Sequence, residues 1–470
     1  MPGSMPARPL VVALFAGCAV FAPALVTAAP SPGLPPTVHQ TAVLVDGPRA
    51  APGASPTPAG LPGLRLAPLP STTPAAAGMS AARLDRLHAF LRENTAPGGY
   101  LGGVTLLTRH GRIVDWQAYG FRDLARSRPM QRDDIFRIYS MSKTITAVAV
   151  LILFEEGKLS LDDPVAQYLP ELGAMRVLAG GTADAPQWRA PARPITLRHL
   201  LTHTSGFPAG LPGDAEADTF NNRDDPHRAA DLAGFVTRLS HGALAADPGT
   251  RFGYEAANAE VLARVVEVAS GQDFASFLQS RILGPLDMRD TGFEVPAAQR
   301  ARVVDITAMG PDGKLRLADG PSASAPGTPL NAYASGAGGL YSTAGDYARF
   351  CQMLLDGGSL DGAAILAPKT VEMMLSNHLT GILDPPVDQY SGAEGFGLGG
   401  YVVLDPARRG APGSVGQFGW SGAASTNYFI DPREGMSEIL MLQHLPNGAP
   451  GDLPRIGRQV QNLAIQALGQ

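Results

Sequence analysis

Ser140 and Lys143 form the most informative pair of chemically active side chains in this sequence. They lie three residues apart in the run Ser140-Met-Ser-Lys143, directly before the long apolar segment 144–154. Residues with this spacing share one face of a helix, so the hydroxyl and the amine can meet. A serine hydroxyl is a weak nucleophile until a neighbouring base accepts its proton. The pair therefore predicts nucleophilic catalysis with Ser140 as nucleophile and Lys143 as base.

The choice of lysine adds weight to this prediction. The chain has 37 Lys and Arg residues, and only four of them are lysines: Lys143, Lys158, Lys314 and Lys369. Burial disfavours the ammonium form of lysine, which lets it accept a proton, whereas arginine stays protonated. An S-x-x-K pattern also arises by chance. Its position between a strand-like segment, 135–138, and an apolar helix is therefore as important as its spacing, because a helix N-terminus favours a developing oxyanion.

Composition excludes several classes of protein. The 470 residues are 45% hydrophobic and 17% charged, and the net charge is −5 at pH 7. A charge-driven disordered chain is excluded, and there is no basic footprint for nucleic acid. We expect a small-molecule substrate and no nucleic-acid partner.

No metal or cofactor is expected either. His199 and His203 are four residues apart, like two metal ligands on a helix, but Leu200 rather than Glu follows His199 and no third ligand is in view. We interpret the two histidines as part of a helix end held by local hydrogen bonds. Cys351 is the only cysteine after residue 18, and it is expected to be a buried core residue.

The first 78 residues are predicted to precede the folded body. Arg8, the uncharged run 10–26 and the small residues that follow predict a signal peptide over residues 1–28. Two alternatives stay open, acylation of Cys18 and retention of the apolar run as a membrane anchor. All three place the body outside the cytoplasm, periplasmic or secreted, and only the alternatives involve the membrane. Residues 29–78 contain twelve prolines and three charged residues, which predicts an extended linker.

The remaining residues, 79–470, are predicted to form one domain of two lobes. The patterns predict the following elements: a helix over 81–93, a hairpin over 104–108 and 113–119, strands over 427–430 and 438–442, and a helix over 453–468. Strands and helices at both ends suggest one α/β layer from about 79–165 and 331–470. Helical stretches at 261–269 and 274–282 suggest a mainly helical lobe inserted at about 166–330.

Several motifs resemble those of the serine β-lactamase-related hydrolases, a group that includes class C β-lactamases and penicillin-binding proteins. The nucleophile segment is Asp134-Ile-Phe-Arg-Ile-Tyr-Ser-Met-Ser-Lys143, and residues 159–165 and 195–206 match structural hallmarks of the group. Residues 335–343, 419–425 and 428–432 are most similar to bacterial family VIII carboxylesterases. The resemblance covers almost all of 80–470. It implies an α/β fold of the β-lactamase/transpeptidase type, with an antiparallel sheet flanked by N- and C-terminal helices.

The resemblance also implies roles for further residues. Tyr254, in Tyr254-Glu-Ala256, matches the second motif and is expected to be a general acid/base that hydrogen-bonds Lys143. The third motif is matched by Trp420-Ser421-Gly422, and Ala423 is expected to supply an oxyanion N–H opposite that of Ser140. Without the resemblance, Tyr254 and Trp420 would be interpreted as aromatic side chains that only pack in the core or at its rim.

The third motif also carries the expectation about substrate. A cation at residue 420 would pair with a substrate carboxylate, whereas Trp420 offers an apolar face and one N–H donor. Ala256 stands where an asparagine would bind an amide. We therefore expect a carboxylesterase that acts on short-chain neutral esters through an acyl-enzyme. The alternatives are a β-lactamase or cell-wall peptidase type of amide hydrolase, and a non-catalytic ligand-binding protein. No G-x-S-x-G nucleophile elbow is present.

Overall fold

The two ends of the chain together form a seven-stranded antiparallel sheet, as the sequence predicts. The computed structural model describes residues 68–381, 392–449 and 451–469, so the predicted signal peptide and residues 29–67 of the predicted linker lie outside the described residues. The N-terminal part contains these elements: α1 (Ala81–Asn94), β1 (Gly102–Arg109), β2 (Arg112–Gly120), β3 (Phe136–Arg137) and α2 (Ser142–Glu155).

The middle of the chain is mainly helical, which agrees with the predicted lobe. Its elements are β4 (Arg176–Gly181), β5 (Pro186–Arg189), α3 (Leu197–Leu201), α4 (Ala215–Asn221), α5 (Leu232–Ser240), β6 (Ala243–Leu244), α6 (Ala257–Ser270), α7 (Phe274–Leu278), β7 (Thr307–Met309), β8 (Leu315–Leu317) and α8 (Pro321–Ser324). The short strands pair among themselves, β5-β4-β6 and β7-β8, and none joins the large sheet.

The C-terminal part returns to the sheet. Its elements are β9 (Tyr341–Ser342), α9 (Ala344–Leu355), β10 (Ser359–Leu360), β11 (Ala363–Ala364), α10 (Pro368–Met374), β12 (Glu394–Phe396), β13 (Tyr401–Val403), α11 (Pro406–Arg409), β14 (Phe418–Ser421), β15 (Asn427–Asp431), β16 (Met436–Leu442) and α12 (Gly457–Ile465). The strand order is β12-β13-β14-β15-β16-β1-β2, so β16 beside β1 closes the two halves of the chain into one layer.

Local sequence explains the elements at the two ends. Ser80 caps α1 by accepting the N–H of Arg83, as residues of this type do at helix starts. The β1–β2 turn has positive φ at both His110 and Gly111, which suits a tight hairpin. Helix α12 begins at Gly457, four residues later than predicted, because Pro454 disfavours the helical conformation of the residue before it.

Each face of the sheet packs on helices. One core lies between the sheet and the pair α1 and α12, and it includes Leu87, Leu107 and Val460. The larger core lies on the other face, where α2 is buried along nearly its whole length and Cys351 of α9 is fully buried, as expected. The linker end also joins this core, since Leu69 is buried in it. Within the described residues, no helix is long and apolar enough to cross a bilayer.

Candidate active site

Ser140 lies at the junction between a short strand and the most buried helix. β3 pairs with β9, and the chain then makes one 3-10 turn, Tyr139–Met141, before α2 begins at Ser142. Tyr139 has a φ of 42°, a conformation uncommon for residues other than glycine. Its ring packs against a small apolar cluster that includes Ile306 and Ala424. This packing fixes the turn that presents the Ser140 side chain at the start of α2.

Lys143 lies one helical turn beyond Ser140 and is 5% exposed. Its Nζ is 3.0 Å from Ser140 Oγ and donates to the carbonyl oxygen of Ala337 over 2.7 Å. The structure therefore brings the two residues together as their spacing predicts. The carbonyl of Ala337 is a second hydrogen-bond partner that orients the amine.

Tyr254 joins this pair from the helical lobe, although its hydroxyl does not point where the resemblance implies. Lys143 Nζ lies over the Tyr254 ring, 5.0 Å from its centroid. The Tyr254 hydroxyl instead accepts the indole N–H of Trp420 over 3.0 Å. No hydrogen bond between Tyr254 and Lys143 is found in the described part of the chain. The lysine is thus held against the face of the phenol.

Aromatic side chains surround Tyr254 and Trp420. The two rings are 4.9 Å apart, and Trp420 also packs edge-on against Phe396 at 5.1 Å. Phe252 and Leu379 complete this cluster. This cluster forms an aromatic wall that is apolar apart from the polar tips of Tyr254 and Trp420.

His203 is a member of the site that the sequence did not reveal. Its ring lies 4.7 Å from the ring of Tyr254, and its Nδ1 accepts both the backbone N–H of Glu255 and the side-chain amide of Asn258, at 3.2 and 3.1 Å. Burial, followed by the charge of Lys143, lowers the pKa of His203 to about 3. A neutral ring that accepts at Nδ1 carries its proton on Nε2. Because the two accepted hydrogen bonds orient this ring, His203 is a packing partner of Tyr254.

No pattern in the sequence points directly to that contact. His203 has a positive φ of 55°, and its partners lie more than 50 residues further along the chain. His199 behaves as expected, because its Nδ1 accepts the backbone N–H of Thr196 while Thr196 Oγ1 accepts the backbone N–H of His199 at the start of α3. In the described residues, no group of three or more His, Cys, Asp or Glu side chains is arranged to hold a metal ion.

The third motif lies at the end of β14, next to the nucleophile turn. Ser421 is the last residue of the strand, and the turn after it contains Gly422 and the exposed Ala423. A Cβ on Gly422 would lie 2.5 Å from the carbonyl oxygen of Ile138, so this turn packs directly against the backbone two residues before Ser140. Among the described residues, no acceptor takes the backbone N–H of Ser140 or of Ala423.

Comparison with known proteins shows the family to which the chain belongs. The family model described as Beta-lactamase matches residues 87–461. The chain belongs to this family. Its membership confirms the resemblance seen in the motifs and the β-lactamase/transpeptidase-like fold, and it supports the assignment of the chain to the serine hydrolases.

Three similar proteins illustrate the range of the family. Protein Rv1367c of Mycobacterium tuberculosis H37Rv is 34% identical over 77% of this chain and 91% of its own length. Esterase EstB of Burkholderia gladioli is 31% identical over 82% and 96% of the two chains. The solved structure of EstCE1, a hydrolase with promiscuous acyltransferase activity, is 25% identical, has a TM-score of 0.68 and aligns with 83% of this chain and 99% of its own.

Proposed function

We propose that this protein is a serine carboxylesterase that hydrolyses short-chain neutral esters through an acyl-enzyme. The observation that carries the proposal is the 3.0 Å contact between Lys143 Nζ and Ser140 Oγ at the start of a buried helix. Buried amines of this kind can accept a serine proton. The esterase relatives in the family support the same reaction class.

The geometry supports a two-step reaction. Ser140 Oγ attacks the ester carbonyl carbon while its proton passes to Lys143, and the tetrahedral intermediate collapses as the alcohol leaves with a proton. The backbone N–H groups of Ser140 and Ala423 are proposed to bind the oxyanion, since preorganised donors of this kind stabilise the charge that develops. Water then attacks the acyl-enzyme, and Tyr254 beside Lys143 is proposed to assist both proton transfers.

The aromatic wall supports the choice of substrate. Trp420 directs its only N–H donor at Tyr254. It therefore offers a substrate an apolar face and no charge. A neutral acyl or alkoxy group is favoured by such a surface, whereas a substrate carboxylate would find no cation at this position.

Labelling by a fluorophosphonate and hydrolysis of short-chain aryl esters test the proposal. Wild type is expected to be labelled at Ser140 and to turn over the ester, and Ser140→Ala is expected to lose both. The exposed Ser160 provides a matched control, because Ser160→Ala should retain both. Equal activity of wild type and Ser140→Ala would overturn the proposal.

The same proteins separate the two alternatives. Faster turnover of nitrocefin than of aryl esters would indicate an amide hydrolase. An intact fold that forms no acyl adduct, measured by mass spectrometry after incubation with excess ester, would indicate a non-catalytic binding protein.

Export of the protein is part of the proposal. It is supported by the sequence of residues 1–28. The mass and N-terminal sequence of the mature protein, together with cell fractionation, test it: cleavage after residue 28 is expected, whereas a lipid-modified Cys18 or an uncleaved N-terminus would indicate one of the anchored forms.

A further inference from the structure

The loop formed by residues 335–340 is hydrogen-bonded to α2 on one side. Lys143 Nζ donates to the carbonyl oxygen of Ala337, and Thr146 Oγ1 donates to that of Gly336 over 2.8 Å. Ser142 Oγ accepts the backbone N–H of Leu340 over 3.3 Å. Three contacts along one helix therefore hold the backbone that orients the amine of Lys143.

Glu260 on α6 accepts hydrogen bonds from the same loop on the other side. One carboxyl oxygen accepts the hydroxyl of Ser335 over 2.5 Å, and the other accepts the backbone N–H of Gly336 over 3.0 Å. Glu260 and Ser335 are 1% and 2% exposed. A Cβ on Gly336 would lie 2.6 Å from the carbonyl oxygen of Ala259, so the loop packs closely against α6.

The charges around Glu260 are few. Lys143 on α2 and His227 in the turn Pro226–Arg228 lie within electrostatic range of it, and Tyr333 lies just before the loop. Burial raises the pKa of Glu260 to about 7. The carboxyl group therefore changes its charge close to neutral pH, within electrostatic reach of Lys143.

The other titratable groups near Lys143 differ from Glu260. His203 stays neutral because its pKa is about 3. Burial raises the pKa of Glu255, whose carboxyl accepts the N–H of Ala257 at the start of α6. Tyr254 presents its ring face to the amine. Glu260 is the carboxyl that also holds the loop on which the amine rests.

We infer that Glu260 is a positioning residue for Lys143: through the 335–340 loop it fixes the amine beside Ser140, and its charge sets the pH range in which Ser140 is activated. The inference rests on the proposed function, in which Lys143 accepts the proton of Ser140. An ionised Glu260 stabilises the ammonium form of Lys143, whereas a protonated Glu260 does not. The acid limb of the pH–rate profile should thus depend on this buried side chain.

The test is the pH dependence of fluorophosphonate labelling and of kcat/KM on a short-chain aryl ester. Glu260→Gln keeps the shape of the side chain and one acceptor for the loop but removes the charge. The acid limb of its pH–rate profile is expected at lower pH than that of wild type. At a pH on the wild-type acid limb, the rate of the variant as a fraction of its plateau rate should be about three- to tenfold higher than the same fraction for wild type. Glu260→Ala, which leaves Ser335 and the N–H of Gly336 without a partner, is expected to lower the plateau about tenfold or more.

Two further variants keep the test decisive. Ser335→Ala removes a hydrogen bond that favours the charged carboxylate, so its acid limb should also move to lower pH, even if Glu260→Gln fails to fold. Glu438→Gln, at another buried glutamate on β16, should leave the profile unchanged. An acid limb that does not move, or moves to higher pH, in the folded Glu260 or Ser335 variant would overturn the inference. Absence of labelling at Ser140 in wild type would instead overturn the proposed function.

Discussion

The indole N–H of Trp420 donates to the hydroxyl oxygen of Tyr254 across 3.0 Å and joins residues 166 positions apart in the chain. Trp420 lies in β14 of the large sheet, and Tyr254 precedes α6 of the helical lobe. The bond therefore ties the two lobes together at the site. Because Tyr254 accepts this hydrogen bond, its own hydroxyl proton can still be donated to another group. An acid/base role would use that proton.

Trp420→Phe should reduce kcat on aryl esters by about three- to tenfold, because loss of one neutral hydrogen bond corresponds to about 1 kcal/mol. The phenylalanine keeps an aromatic face against Phe396, so KM should change less than kcat. Steady-state kinetics measures both quantities. Trp188→Phe, at a ring that packs on Phe220 in the helical lobe, is the control and should match wild type. Full kcat in Trp420→Phe would show that the bond has no part in the reaction.

Lys143→Arg should reduce the rate of Ser140 labelling at least about a hundredfold, the lower range for loss of a general base. Arginine retains a positive charge but cannot accept the serine proton. Stopped-flow or gel-based labelling gives the rate, and circular dichroism checks the fold. Lys158→Arg is the matched control, since Lys158 forms a surface ion pair with Glu156 at 3.0 Å. Labelling of Lys143→Arg at the wild-type rate would remove the lysine from the mechanism.

Local patterns predicted several elements of the fold and the contact between Ser140 and Lys143, because these depend on short-range spacing, whereas the fold as a whole was implied by the family resemblance. The helix at 81–93, the β1–β2 hairpin and the pair Ser140 and Lys143 follow from periodicity, capping and an i, i+3 relationship.

Contacts between distant segments could not be predicted in this way. The ring of His203 reaches Tyr254 only because its backbone takes a positive φ and because Glu255 and Asn258 supply donors. Nor does any pattern show that the hydroxyl of Tyr254 is directed at Trp420. Glu260 does not stand out in the sequence, because the charged residues Arg264 and Glu267 follow it on the same helix. Its partners Ser335 and Gly336 are 75 and 76 residues away.

Gly422→Ala should reduce kcat about tenfold or more, because small displacements of a catalytic group are costly. A Cβ at this position would lie 2.2 Å from Thr426 Oγ1 and 2.5 Å from the carbonyl oxygen of Ile138. The turn that carries Ala423 would have to move away from the Ser140 segment. Gly292→Ala is the control, because its nearest neighbour would be 3.6 Å away. Equal kcat for the two variants would show that the turn does not position an oxyanion donor.

Glu438 is fully buried on β16, next to Leu107 and Phe429 on the neighbouring strands, and neither of its carboxyl oxygens has a hydrogen-bond partner among the described residues. Burial raises the pKa of Glu438 well above its ordinary value. Above about pH 4.3, the usual pKa of an unfolded glutamate, the unfolded chain releases a proton that the folded chain keeps, so this residue makes the folded state less stable as pH rises.

Glu438→Gln removes that proton uptake, and its free energy of unfolding should therefore rise relative to wild type between pH 5 and pH 8, by about 1.4 kcal/mol for each pH unit below the folded pKa. Urea unfolding at a series of pH values measures the difference, and the sign of its slope is the readout because the buried amide itself is also unpaired. Glu93→Gln on α1, where the carboxylate is exposed, should give a difference that does not change with pH. A flat or falling difference for Glu438→Gln would mean that Glu438 is ionised in the folded protein, and a partner for that charge would then have to be sought within the core between the sheet and α1.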